Sequence, residues 1–105
     1  MVRALIANYS ATSPRTEAEF THNEELEAPT LQALWPKVRE HAALSDRNLR
    51  RTIQRNALFN DADQCVGFRR QGWDHDMAGD AYWRITDYVF QTVQPETVTP
   101  LAIAS

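Results

Sequence analysis

Arg47, Arg50, Arg51 and Arg55 lie within one short stretch of the chain, and Arg69 and Arg70 follow. Guanidinium forks grip carboxylates and phosphates through paired N–H donors. The cluster therefore points to an anionic partner, either an acidic protein surface or nucleic-acid phosphates. A helix-turn-helix reader would use residues 46–59 as its second helix, but the preceding Ala43-Leu44-Ser45 lacks the usual turn glycine. A protein partner is accordingly expected ahead of nucleic acid. A blander account is pairing inside the chain, since Glu17, Glu19, Glu24, Glu25 and Glu27 supply the opposite charge.

Asp74-His75-Asp76, with Asp80 four residues on and Asp61 and Asp63 upstream, is a second candidate. Imidazole and carboxylates can hold zinc, manganese or iron, and a metal-dependent enzyme at Asp74, His75 and Asp76 is the remote alternative. Neighbours such as Asp74 and His75 point apart on most backbones, and His22 and His41 share no metal-ligand spacing with them. The expectation is a polar turn in which Asp76 or Asp80 caps a helix, with no metal and no cofactor. Cys65, followed by Val66, reads as a small buried apolar residue rather than a nucleophile. The chain has no Gly-x-Ser-x-Gly, no phosphate-binding glycine loop and no His-Glu-x-x-His, so no catalytic residue is assigned.

The aromatics are the third candidate. On a helix over 81–93, Ala81, Ile85, Tyr88, Val89 and Thr92 form one face, Tyr82 and Val93 extend it, and Trp83 and Phe90 lie further round. Only Arg84, Asp87 and Gln91 are left as a polar strip. A helix this apolar is either central to the core or faces a target protein or a twin copy. The expected binding set is thus Arg47, Arg50, Arg51, Arg55, Arg69, Arg70, Trp83 and Phe90.

These residues need elements to position them. At 100° per residue, Leu31, Leu34, Trp35, Val38 and Ala42 make one apolar stripe, which predicts a helix over about 29–44 with Pro29 in its first turn and Pro36 on its polar side. Ser45 is the expected N-cap of a second helix, 46–59, with Leu49, Ile53 and Ala57 on one side and the four arginines on the opposite arc. Asn60-Asp61-Ala62-Asp63 is a break. Residues 64–79, which hold Gly67, Gly72 and Gly79, read as an irregular packed connection anchored by Trp73. Asp80 is an expected cap for the helix 81–93, which Pro95 stops. Residues 81–93 are also rich in aromatic and β-branched types, so a strand is the rival. Against a strand, Asp87 and Gln91 would share a face with Ile85 and Val89. Residues 2–9 fit a short strand or a helical turn. Residues 1–28 form an acidic N-terminal segment, of which 10–28 hold only Phe20 and Leu26 as large apolar residues; a turn at Ser13-Pro14 with a short helix starting at Thr16 is one option and a mobile arm the other. The tail 95–105, with Thr97, Val98 and Thr99 before Pro100, is extended, or it pairs with residues 2–7 as a small sheet.

Composition sets the outer bounds. The chain has 105 residues, 43% hydrophobic and 24% charged, as expected for one globular domain rather than a disordered chain. Its net charge of −3 excludes a generally polybasic protein. Ten arginines face one lysine, Lys37, which codon bias in a GC-rich genome explains. A single cysteine excludes an internal disulfide and fits the cytoplasm, and no 18-residue apolar run suggests a membrane span. The expected fold is mainly α, three to four helices with a minor two-stranded element from the termini, and α+β is the alternative. The expected function is a small non-enzymatic adaptor or inhibitor of a macromolecular partner. In size, arginine bias and lack of catalytic motifs the chain resembles small accessory proteins of phages and plasmids, a likeness that assigns no residue a role.

Overall fold

The computed structural model describes residues 1–92. It is mainly β, which overturns the expected helical domain: one five-stranded antiparallel sheet carries two helices on one face. The strands are β1 (Val2–Ala11), β2 (Glu19–Ala28), β3 (Ala57–Phe59), β4 (Cys65–His75) and β5 (Ala81–Thr92), and the helices are α1 (Leu31–Ala42) and α2 (Asp46–Arg55). Their order across the sheet is β2-β1-β5-β4-β3. A β1–β2 hairpin comes first, the helices cross over, and the β3-β4-β5 meander returns β5 to the free side of β1.

Each mistaken helix or loop has a physical cause. β5 is central, with its even positions Thr86, Tyr88 and Phe90 buried, Tyr88 and Phe90 of them in the core beneath the helices. Its odd positions, including Ile85, Asp87 and Val89, lie on the opposite face, which no helix covers. Asp87 and Gln91 do share a face with Ile85 and Val89, but that face meets water. There Asp87 takes two N–H bonds from Arg69 and Gln91 takes two from Arg3. Mixed polarity on a solvated sheet face is compatible with a strand. Residues 64–79 are β4 and its turn rather than an irregular connection. Gly67 sits mid-strand because a Cβ there would fall on the Tyr88 carbonyl oxygen. Asp80 belongs to the β4–β5 turn and caps no helix: its N–H donates to Asp76 Oδ1, and Gly79 adopts φ 84°. β2 is poor in apolar residues because it is an edge strand, where glutamates also discourage pairing with other chains. No helix starts at Thr16, whose hydroxyl donates to the Ser13 carbonyl in the β1–β2 connection.

The two predicted helices are present, shorter than expected. Thr30, not Pro29, opens α1, its hydroxyl accepting the Ala33 N–H at 3.1 Å. Pro36 lies on the exposed side of one continuous helix. Ser45 caps α2 as expected, accepting the Asn48 N–H at 3.2 Å. α2 stops at Arg55 because Asn56 turns into the sheet, its carbonyl accepting the Arg69 N–H at 2.8 Å. Ala57 is therefore in β3, and the Asn60–Asp63 break is part of the β3–β4 turn.

The core lies between helices and sheet. Leu34, Val38 and Ala42 of α1 and Leu49 and Ile53 of α2 meet Ala4, Ile6, Phe68, Tyr88 and Phe90. Phe68 stacks on Tyr88 with centroids 4.7 Å apart. Each large apolar side chain buried here contributes about 1.5–3 kcal/mol. The expected pairing of the tail with residues 2–7 lies outside the described residues. Among the described residues no helix is long and apolar enough to cross a membrane.

Candidate functional site

Register puts alternate residues of neighbouring strands in rows beneath the helices. The Ala4–Phe90 and Ile6–Tyr88–Phe68 rows are apolar and covered. The next rows, Asn8–Thr86–Arg70 and Ser10–Arg84–Gly72, are polar and contribute nothing to the helix-covered core. The apolar core thus occupies one half of the helical face, and the polar half borders two clefts, with Asn8 and Thr86 themselves buried.

A chain of polar contacts crosses the boundary between the two halves. Tyr88 Oη lies 2.8 Å from His41 Nδ1, and His41 Nε2 lies 3.3 Å from Glu24 Oε1. Asn8 Nδ2 donates to Glu24 Oε2 at 2.9 Å, while Asn8 Oδ1 accepts from Thr86 Oγ1 at 3.2 Å and from Arg84 Nη2 at 3.3 Å. Arg84 Nη1 reaches Asp74 Oδ2 at 3.2 Å. An ionised Glu24 can only accept, so His41 Nε2 donates to it; in the neutral imidazole Nδ1 then accepts from Tyr88. Burial pushes the Tyr88 hydroxyl up to about 12. Burial alone would raise the Glu24 carboxyl, but hydrogen bonds from Asn8 and His41 outweigh it and hold Glu24 below the ordinary range. The His75 backbone N–H and Arg84 lower Asp74. Asn8 is only 2% exposed and bonds on both ends of its amide, as a buried polar group must.

The expected binding set is divided by this architecture. Arg47, Arg50, Arg51 and Arg55 are exposed on the outer arc of α2, away from Leu49 and Ile53. Among the described residues, none of the four guanidiniums has a hydrogen-bond or ion-pair partner. The glutamates are out of reach. β2 lies at one edge of the sheet and α2 packs on β3 and β4 at the other, and four strand spacings amount to about 19 Å. Glu24 is engaged by His41 and Asn8, and Glu25 by Arg3. Arg70 points to the helical side, whereas Arg69 lies on the open face, held by Asp87 at 2.7 Å. That contact and the adjacent carboxylate charge raise Arg69 above its ordinary value, against the effect of burial. Trp83 is also on the open face, edge-on to Trp73 at 5.4 Å. Phe90 is fully buried, so it belongs to the core and cannot face a partner.

The remaining candidates are occupied with local structure. Asp74 binds Arg84 and the His75 N–H, and Asp76 Oδ1 accepts the N–H groups of Ala78 and Asp80. Among the described residues no group of three or more His, Cys, Asp or Glu side chains could hold a metal. Cys65 is half-buried at the start of β4. The Tyr88–His41–Glu24–Asn8–Arg84 network escaped the sequence reading because its members come from β5, α1, β2 and β1. The available signal was parity: Asn8 continues the alternation of Ala4 and Ile6, and Arg84 and Thr86 continue that of Tyr88 and Phe90. Comparison with protein-family models, curated proteins and solved structures finds no match.

Proposed function

We propose that this protein is a small non-enzymatic cytoplasmic binding protein that engages an acidic protein partner through α2. The observation that carries this reading is the row Arg47, Arg50, Arg51 and Arg55, exposed and without intramolecular partners among the described residues, at the edge of the sheet remote from the glutamates. Free guanidiniums on a capped, packed helix are pre-organised for carboxylates: the helix backbone is already ordered, so binding orders side chains only. A protein partner is favoured over nucleic acid because the Ala43-Leu44-Ser45 connection before α2 lacks the usual turn glycine of a helix-turn-helix reader.

The test is affinity capture from the native host with the wild-type protein and with R50E/R51E/R55E. These exposed positions lie outside the core, so the variant folds. A protein recovered by the wild type and lost with the variant supports the reading. Equal recovery of every bound protein by the folded variant overturns it. The same four side chains support a second reading, contact with nucleic-acid phosphates. That reading predicts duplex or single-strand binding that falls steeply with salt, and no binding at low salt removes it.

A further inference from the structure

We propose that the polar half of the helical face is a binding site for a small molecule with an oxyanion head, carboxylate or phosphate, which Arg70 and Arg84 grip over Gly72. Gly72 is directly opposite Arg84, and Arg70 is directly opposite Thr86, so the two arginines are diagonal neighbours on one face. Diagonal positions lie about 7–8 Å apart, a span that one oxyanion can bridge between two guanidiniums. Gly72 supplies the space: a Cβ built there meets nothing within 4 Å. A cavity of about 210 Å³ lies at this point, lined by Arg70, Gly72, Asp74, Arg84 and Thr86 among others.

The arginine in the middle of the site is held in place. Asn8 Oδ1 and Asp74 Oδ2 take one N–H each from Arg84, leaving three of its five donors uncommitted. Asn8 is in turn fixed by Glu24 and Thr86, so Arg84 is oriented before a ligand arrives. Asp74 offsets part of the Arg84 charge, and Arg70, exposed and without an ion-pair partner among the described residues, supplies the second cation. Arg84 also borders a larger cleft of about 760 Å³, lined by Ser10, Tyr82, His22, Glu19 and others. Volumes of roughly 300–1,000 Å³ hold small-molecule ligands. The arginine end receives the anion, and the carboxylates of Glu17, Glu19 and Asp76 favour hydrogen-bond donors or positive charge at the far end of the ligand.

Amide chemical shifts of the full chain, titrated separately with inorganic phosphate and with acetate, test the site. The expected result is saturable movement of Arg70, Gly72 and Arg84 with millimolar affinity for at least one probe. Phosphate alone marks a phosphate ester, acetate alone a carboxylate, and both mark a site that accepts either. Gly72→Leu fills the space and Arg70→Gln removes one cation, and each is expected to weaken the response at least about tenfold. Arg70 is exposed, so R70Q carries the test even where leucine disturbs the sheet. No saturable movement, or wild-type binding by folded G72L and R70Q, would each overturn the site.

Discussion

The substitution Tyr88→Phe removes one hydroxyl from the junction of the core and the polar network, and its effect should reverse sign with pH. Tyr88 is 1% exposed, and its hydroxyl bonds only His41 among the described residues. Losing that bond costs about 1 kcal/mol near neutrality, since His41 keeps Glu24 and is near enough to the surface for Nδ1 to find water. Burial raises the phenol from 10.0 to about 12. The neutral hydroxyl is thus favoured by folding. Its contribution is complete below about pH 10 and declines by roughly 1.4 kcal/mol per pH unit until about pH 12, near 2.7 kcal/mol in all. The phenylalanine variant has no hydroxyl to ionise, and all other titrating groups are common to both proteins. The wild type should therefore be more stable by about 1 kcal/mol at pH 8, equal at about pH 11 and less stable above it. Urea unfolding followed by circular dichroism at several pH values measures the difference directly. A gap that stays constant from about pH 8 to about pH 11.5 would refute the burial argument and the position of Tyr88 beneath the helices.

Two further perturbations probe the same structure. Glu24→Gln should lower stability at pH 7, because one of the two donors, Asn8 or His41, then meets an amide N–H₂. Its acid profile should also be flatter: the wild-type carboxyl, held below the ordinary value of about 4.3, contributes above that pH and loses its contribution as pH falls through its lowered value. Parallel acid-unfolding curves would contradict this. Phe90→Ala should cost about 3–5 kcal/mol, because Phe90 is fully buried with Trp35 at 5.1 Å and Phe68 at 6.4 Å. Thermal melts measure that loss, while partner affinity of the remaining folded protein should not change. An unaltered melting temperature would place Phe90 outside the core.

The sequence was informative wherever a pattern had one possible cause. The stripe of Leu34, Val38 and Ala42 and the arc of Arg47, Arg50, Arg51 and Arg55 against Leu49 and Ile53 identify helices, because each has one buried side at helical spacing. Strand patterns were masked by a sheet with two unlike faces. β5 is buried on one face and half-buried on the other, so its apolar residues occur at both parities and mimic a helix apolar all round. β2 buries little beyond Leu26 and Ala28, leaving its alternation too weak to detect. Glycines in β4 signalled a loop, whereas Gly67 admits the Tyr88 carbonyl and Gly72 opens the cleft. The arginine row was legible because it lies on one helix. The Asn8–Arg84 site was not, since 76 residues separate the two and register alone joins them.

Binding by α2 is tested most directly with the captured partner in a titration of the wild type against R50E/R51E/R55E at several salt concentrations. Charge-assisted contacts are worth about 1.5–3 kcal/mol each, and reversal adds repulsion. The affinity should fall at least about tenfold even if only one of the three makes such a contact, and the salt dependence should shrink. Equal affinity and equal salt dependence in the two folded proteins would contradict the assignment of α2 as the binding surface.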